Sequence, residues 1–307
     1  MKKLLIFLIG GVFGFASTSA QQIQWTPDQI KQFSKEFTGN RGSDGRPYIS
    51  DALLKRLKNT SIEEAWGYLK NKGFNNQFEA GWQIIGNVPL VGRVVTAQYM
   101  PSRPDIDLRI KEKGKEENRS GSPNSWPIDV LKEGDVYVAD GYGKIIDGTL
   151  IGDNLGNSIY AKSKTGVVFD AGVRDLDGLE AIEGFTGFVR GIDPSYIKEM
   201  MLTCINCPIR IGRATVMPGD LVLGKKEGVV FIPAYLAEDL VKNAEFIALR
   251  DEFGHLRLKQ GKYTPGQIDQ KWSEEIKNDF LKWVKDNPSK LQMSNAEFDE
   301  FTKDRNW

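Results

Sequence analysis

An α/β fold is what this sequence predicts, and three features predict it. Short apolar runs such as Val136-Tyr137-Val138-Ala139, Val167-Val168-Phe169 and Val229-Val230-Phe231-Ile232 carry the β-branched and aromatic residues that strands favour, and glycine turns separate them. A helix-length segment, residues 154–164, lies between two of these runs, where neighbouring strands need a crossover. Polar stretches with helix-start signals flank the strand-rich region on both sides.

The elements follow in order. Residues 21–73 read as a polar helical segment. Thr26-Pro27-Asp28-Gln29 starts a helix: Thr caps, Pro suits the first turn and Gln reaches back. Ser61-Ile62-Glu63-Glu64 is a second capping box, ahead of Ala65, Trp66 and Leu69. Residues 39–46 form a Gly-rich loop between helices. From residue 74 the character changes. The run at 136–139 ends in Asp140-Gly141, and that at 167–169 ends in Asp170-Ala171-Gly172. Residues 185–189 are a further short strand, and 221–223 with 229–232 flank a turn as a hairpin. Residues 101–126, rich in Lys, Glu, Ser, Pro and Gly, are expected to be a mobile excursion or surface loop. Beyond residue 233 the pattern is helical again. Leu236, Leu240 and Ala244 share a face, and Thr264-Pro265-Gly266-Gln267 repeats the earlier start signal. Trp272, Ile276, Phe280 and Trp283 recur at helical spacing as a packing stripe, and Ser294-Asn295-Ala296-Glu297 opens a last short helix.

The chain has 307 residues, ample for one core with appended helices. Residues 1–20 read as an export signal: Lys2 and Lys3, an apolar run too short for a comfortable membrane span, then small residues before Gln21. The mature chain is therefore expected to be soluble and periplasmic or secreted, with no membrane segment. Lys plus Arg and Asp plus Glu both number 41, which argues against a nucleic-acid surface made by bulk charge. The single histidine, His255, removes most His-based metal sites and Ser-His or Cys-His machinery. Cys204 and Cys207 stand as C-x-x-C in what reads as a loop entering a strand; a structural pair or buried thiols fit better than redox catalysis.

The segment from Gly152 to Asp175 concentrates the chemistry. Gly152 permits close approach of a ligand to the backbone, and Asp153, Asn154 and Leu155 begin the following helix. The first N–H groups of a helix lack partners within it and suit a carboxylate or phosphate. Arg174 follows a buried-looking strand, and its guanidinium can grip a carboxylate through parallel hydrogen bonds. Asp175 beside it and Asp153 opposite are hard oxygen donors suited to Mg²⁺ or Mn²⁺. An Arg-Asp doublet and an Asp at a helix start also occur as plain surface and capping residues.

These residues resemble the RraA-like family, also called the class II 4-hydroxy-4-methyl-2-oxoglutarate (or 4-carboxy-4-hydroxy-2-oxoadipate) aldolase family, whose older members were misnamed demethylmenaquinone methyltransferases. The resemblance rests on Gly152-Asp153-Asn154-Leu155, on Gly166-Val167-Val168-Phe169-Asp170 and on Val173-Arg174-Asp175. Phe188-Val189-Arg190-Gly191, Met217-Pro218-Gly219-Asp220-Leu221, residues 228–233 and Val91-Gly92-Arg93 with Ala97 extend it over residues 49–249. Two positions depart from the family pattern: Ala171 stands where Gly is usual, and Lys225 where Asp is common.

The resemblance implies a swivelling β/β/α core, like phosphohistidine domains, over residues 74–249, with an added helical extension over 250–307. It implies a homotrimer or homohexamer. It implies that Asp175 binds the metal directly and Asp153 through water, that Arg174 binds the substrate carboxylate and keto oxygen, and that the backbone N–H groups of Gly152, Asn154 and Leu155 receive the pyruvyl carboxylate. The implied activity is retro-aldol cleavage of 4-hydroxy-2-oxo acids to pyruvate, with oxaloacetate decarboxylation alongside. A non-catalytic binding or regulatory protein is the reading from another class, since the family also contains regulators of ribonuclease machinery.

Overall fold

The computed structural model describes residues 22–303 and 307; the expected export signal, residues 1–20, lies outside the described residues. The strands are β1 (Phe78–Glu79), β2 (Gln83–Gly86), β3 (Leu90–Pro101), β4 (Asp135–Thr149), β5 (Gly166–Val173), β6 (Thr186–Ile192), β7 (Met200–Ile205), β8 (Ile209–Ile211), β9 (Ala214–Val216), β10 (Leu221–Lys225) and β11 (Gly228–Ile232). The helices are α1 (Pro27–Gln32), α2 (Asp51–Leu57), α3 (Ile62–Asn71), α4 (Pro104–Glu116), α5 (Trp126–Asp129), α6 (Asp153–Ser163), α7 (Leu176–Glu180), α8 (Ala237–Lys259), α9 (Pro265–Ile268), α10 (Glu274–Asp286) and α11 (Asn295–Lys303).

Among the described residues nine strands form one mixed sheet in the order β1-β11-β10-β3-β4-β5-β6-β2, with β7 also pairing with β3. Its centre, β3 to β6, is parallel; the β10–β11 hairpin, β2 and β7 join antiparallel. Alternation along the strands sorts their residues onto two faces. Val95, Ala97, Tyr137, Ala139, Val167 and Phe169 pack with Trp126, Ile159 and Leu179, that is, with α5, α6 and α7. Val94, Val136, Val138, Val168 and Phe231 pack with Ile209, Ile211 and Val216 of the small β8–β9 sheet. The layers are therefore helix, large sheet and small sheet, the mixed α/β arrangement expected. Leu221, Leu223, Val230 and Ile232 carry α2, α3 and the start of α8. An aromatic cluster of Phe246, Phe253, Trp272, Phe280 and Trp283 closes the C-terminal helices on one another.

Local signals act as read. Thr26 and Ser61 make complete capping boxes with Gln29 and Glu64. Residues 101–126 differ from the expected loop, because α4 occupies Pro104–Glu116. Pro104 opens it, and Asp107–Lys111, Arg109–Glu112 and Lys113–Glu116 pair along its surface. Gly114 lets it lie on Trp126, whose ring would stand 2.2 Å from a Cβ at that position. The C-x-x-C loop also differs: Cys204 belongs to β7, and both thiols are free. Ala171, the departure from the family turn, is fully buried and faces Gly141 on β4, whose missing Cβ makes the room.

Buried charge ties the periphery to the sheet. Arg46 donates twice to Asp135, at 3.1 and 2.8 Å, and so pins the N-terminal loop to the start of β4. Asp220, between β9 and β10, accepts the Met217 N–H at 2.8 Å. Burial pushes its carboxyl up to about 7, against an ordinary 3.8, and that hydrogen bond opposes the rise only in part. The folded protein thus holds a proton that the unfolded chain releases near pH 3.8. Its contribution to stability is complete below that value and is lost as pH rises through about 7. Denaturation midpoints should therefore fall between about pH 5 and pH 8 by more in the wild type than in Asp220→Asn. The gap between the two curves should widen by roughly 2–4 kcal/mol over that range. Parallel curves would contradict the assignment.

Candidate functional site

Because β4 and β5 are parallel neighbours, the turns at their carboxyl ends stand side by side, where open α/β sheets bind ligands. Two backbone bonds stitch the turns: Leu150 N–H donates to Gly172 O and Arg174 N–H to Ile151 O, both at 3.0 Å. Leu150 and Ile151 are buried beneath them.

Gly152 is the N-cap of α6, with φ −119° and ψ −164°, a conformation open to any residue. Space is what demands glycine there. A Cβ would stand 2.1 Å from Asp175 Oδ2 and 3.3 Å from Arg174 Cγ. The Asp175 carboxylate therefore rests against the backbone that starts α6. The first bond inside that helix runs from Gly156 N–H to Gly152 O, at 2.9 Å. Helix geometry leaves Asp153, Asn154 and Leu155 without intrahelical partners for their N–H groups. Asp153 Oδ1 accepts one of these, from Asn154, at 2.7 Å. The expected anion-binding role of Asn154 N–H thus requires that internal bond to open. Gly178 on α7 keeps clear of Asp153, whose Oδ2 would stand 3.0 Å from a Cβ there.

Asp175 occupies the left-handed region, at φ 57° and ψ 50°, and is the N-cap of α7. Asp tolerates that region better than most residues, but such placement still costs about 1 kcal/mol. An Asp at an N-cap ordinarily turns its carboxylate back onto its own helix. Asp175 makes no such bond. Its carboxylate instead lies 3.1 Å from Arg174 Nη1, with the two side chains 36% and 42% exposed. A pair this accessible contributes little to stability, so both groups can exchange partners at low cost.

Asp153, Asn154, Arg174 and Asp175 line one open cavity of about 570 Å³, together with Leu176, Asp177 and Gly178. An adjoining recess of about 100 Å³ shares Asn154 and Arg174 and adds Gly152, Leu155, Asn124 and Tyr196. The six residues singled out in the sequence therefore converge on one place. Asp177, Asn124 and Tyr196 were not foreseen. Asp177 could have been noted two residues beyond Asp175, whereas Asn124 and Tyr196 arrive from segments without a signal of their own. Among the described residues no group of three or more His, Cys, Asp or Glu side chains is arranged to hold a metal ion. Any ion here would have few protein ligands and positions left for substrate.

The fold is α/β, and its cleft sets a helix start beside a guanidinium and two carboxylates. Known proteins narrow this to a family. The family model described as RraA-like, Aldolase/RraA, matches residues 47–231, and the chain belongs to that family. A Halalkalibacterium halodurans protein with the provisional name 4-hydroxy-4-methyl-2-oxoglutarate aldolase is 31% identical over 119 residues, which cover 39% of this chain and 56% of that one. Protein DlpA of Legionella pneumophila is 25% identical over 201 residues, covering 65% of this chain and 30% of DlpA. The chain thus spans about half, or less, of the length of these relatives. Among solved structures, RraAS2 of Streptomyces coelicolor, described as an unusual member of the RNase ES inhibitor RraA family, is 25% identical with a TM-score of 0.58, covering 68% of this chain and all of that one. An uncharacterized Pseudomonas syringae protein is 21% identical with a TM-score of 0.60, over 76% of this chain and 98% of its own, and shares the fold.

Proposed function

We propose that this chain is a divalent-metal-dependent lyase that cleaves 4-hydroxy-2-oxo acids to pyruvate and a second oxo acid, and that it decarboxylates oxaloacetate as a side activity. The observation that carries this reading is the Asp175 carboxylate. It is held in a left-handed N-cap yet makes no cap bond, and it rests against Gly152 on a cavity shared with Asp153 and Arg174. The aldolase name of the Halalkalibacterium relative supports it.

The donors fit a hard cation: two carboxylates border an open cavity, with glycine leaving room beside one of them. Asp175 would hold Mg²⁺ or Mn²⁺ directly and Asp153 through a water. The ion supplies Lewis acidity at the 2-keto oxygen. The residues do the rest. The start of α6 receives the substrate carboxylate, with the N–H groups of Gly152, Asn154 and Leu155 as donors. Arg174 grips the same carboxylate and the keto oxygen, and offsets the negative charge that grows there as the C3–C4 bond breaks. Asp153 positions the water that takes the proton from the 4-hydroxyl. That oxygen becomes the carbonyl of the departing fragment, and the C3–C4 electron pair becomes an enolate, which is protonated at C3 to give pyruvate. Loss of CO₂ from oxaloacetate leaves the same enolate.

Arg174→Ala should raise KM and lower kcat together, because the guanidinium meets both the bound substrate and the developing charge. The combined loss in kcat/KM should be on the order of 10²–10³. An unchanged KM for pyruvyl acids would remove Arg174 from substrate binding. The experiment for the activity itself is pyruvate release from 4-hydroxy-2-oxo acids and oxaloacetate, with Mg²⁺ and with chelator. No turnover on any of them, together with tight binding of a protein partner, would favour the regulatory reading instead.

Two further points belong to this proposal. Residues 1–20 act as an export signal that places the chain in the periplasm or outside the cell; mass spectrometry of the secreted form should find Gln21 at its start. The chain assembles as a homotrimer or homohexamer. Ile146 and Tyr196, 68% and 60% exposed, offer apolar surface on segments joined by the hydrogen bond from Asp147 N–H to Ser195 Oγ. Light scattering of the purified protein reads that state.

A further inference from the structure

A second cavity, of about 520 Å³, shares no residue with the two described above. It lies where the loop after α1, the loop before β1, the β9–β10 turn and the segment after β11 meet. Phe37, Phe74 and Tyr235 line it, and so do Asp220 and Glu36. The size is that of a small-molecule site.

Asp220 is only 7% exposed. One oxygen accepts the Met217 N–H, and among the described residues no cationic side chain acts on the carboxyl, which burial drives up to about 7. A carboxyl buried this deeply either has a cation beside it or holds its proton until one arrives. Tyr235 connects the charges: burial first, then Glu36 and Asp220, raise the pKa of its hydroxyl, so both carboxylates stand near that ring. Among the described residues the one cation in the lining, Arg213, is turned elsewhere, with Nε donating to the Phe78 carbonyl at 3.0 Å.

We infer that this cavity binds a small organic cation, a primary or quaternary ammonium, with its charge at Asp220 and its alkyl groups against Phe37, Phe74 and Tyr235. Ring faces attract cations through their quadrupoles, and above about pH 7, where Asp220 ionises, its desolvated carboxylate adds the directional partner. An anion would meet two carboxylates. A divalent metal would meet rings where it needs a shell of oxygens.

Calorimetric titration of the full chain at about pH 8, where Asp220 is ionised, with choline chloride, n-butylammonium chloride and neutral 3,3-dimethyl-1-butanol tests this. At least one of the two cations should bind in the millimolar range or tighter, and the neutral alcohol, which has the shape of choline, about tenfold more weakly or worse. Asp220→Asn, which keeps an oxygen for Met217 N–H, should weaken the cation about tenfold or more. Tyr235→Ala, at a side chain 42% exposed, puts the fold at little risk and should weaken it roughly fivefold. It carries the test if Asp220→Asn does not fold. No binding of either cation up to tens of millimolar, equal affinity for choline and the alcohol, or cation binding that survives the substitutions would overturn the proposal. Pyruvate release takes place at the other cavity, so success or failure there leaves this result readable.

Discussion

Asp175→Asn should eliminate the proposed pyruvate formation while leaving the fold intact. Asn accepts the left-handed backbone at φ 57° about as readily as Asp does, so the turn keeps its shape. No cap bond is lost, because Asp175 makes none. The pair with Arg174 is accessible and worth at most about 1 kcal/mol. Thermal and denaturant midpoints should therefore shift little. Activity should not survive, because an amide in place of the carboxylate removes the direct ligand of the proposed cation. Lewis-acid assistance is worth several kcal/mol, so the loss should be on the order of 10³-fold or more in kcat. A folded variant with near-normal turnover would take Asp175 out of the chemistry.

Gly152→Ala should be almost as damaging, for a steric reason confined to one atom. The backbone at Gly152 suits alanine, so the fold should form. The new methyl, however, would stand 2.1 Å from Asp175 Oδ2, closer than atoms can approach, and that flexible carboxylate must swing away. Displacing a reacting group by about 1 Å costs roughly 10²-fold. Steady-state kinetics should show that loss with the melting temperature close to wild type. Gly67→Ala on α3 is the control: nothing lies within 4 Å of a Cβ there, so activity is kept and the helix gains up to about 1 kcal/mol. Full activity in Gly152→Ala would show that the carboxylate position seen beside α6 is irrelevant to turnover.

Much of this was legible in the sequence because the signals are local. Val136 to Ala139 and Val167 to Phe169 carry alternating burial onto two packed layers, so their runs read as strands without knowledge of their partners. Thr26 and Ser61 announce their helices through bonds to residues three positions on. The candidate site was legible for a related reason: its six residues fall within one strand–helix–strand unit, and the parallel pairing of β4 with β5 brings the two turns together. What could not be read depends on distant contacts. The polar composition of residues 101–126 suggests a loop, but α4 is helical because its charges pair along one side and Gly114 docks on Trp126. Cys204 reads as loop because the strand it joins, β7, pairs with the far half of β3 across about a hundred residues. Asn124, from the segment 101–126, and Tyr196, from the loop between β6 and β7, reach the recess only through packing. The burial of Asp220 is likewise invisible in Met217-Pro218-Gly219-Asp220, which reads as an ordinary polar turn.

The most direct measurement is the rate of pyruvate release by the purified chain from 4-hydroxy-4-methyl-2-oxoglutarate, read with and without Mg²⁺, alongside Asp175→Asn under the same conditions. Pyruvate should accumulate with wild type and Mg²⁺, cease with chelator, return when Mg²⁺ is restored, and not form with the variant. Release that ignores chelator, or that continues in the variant, would contradict the assignment of this cleft as a metal-assisted lyase site.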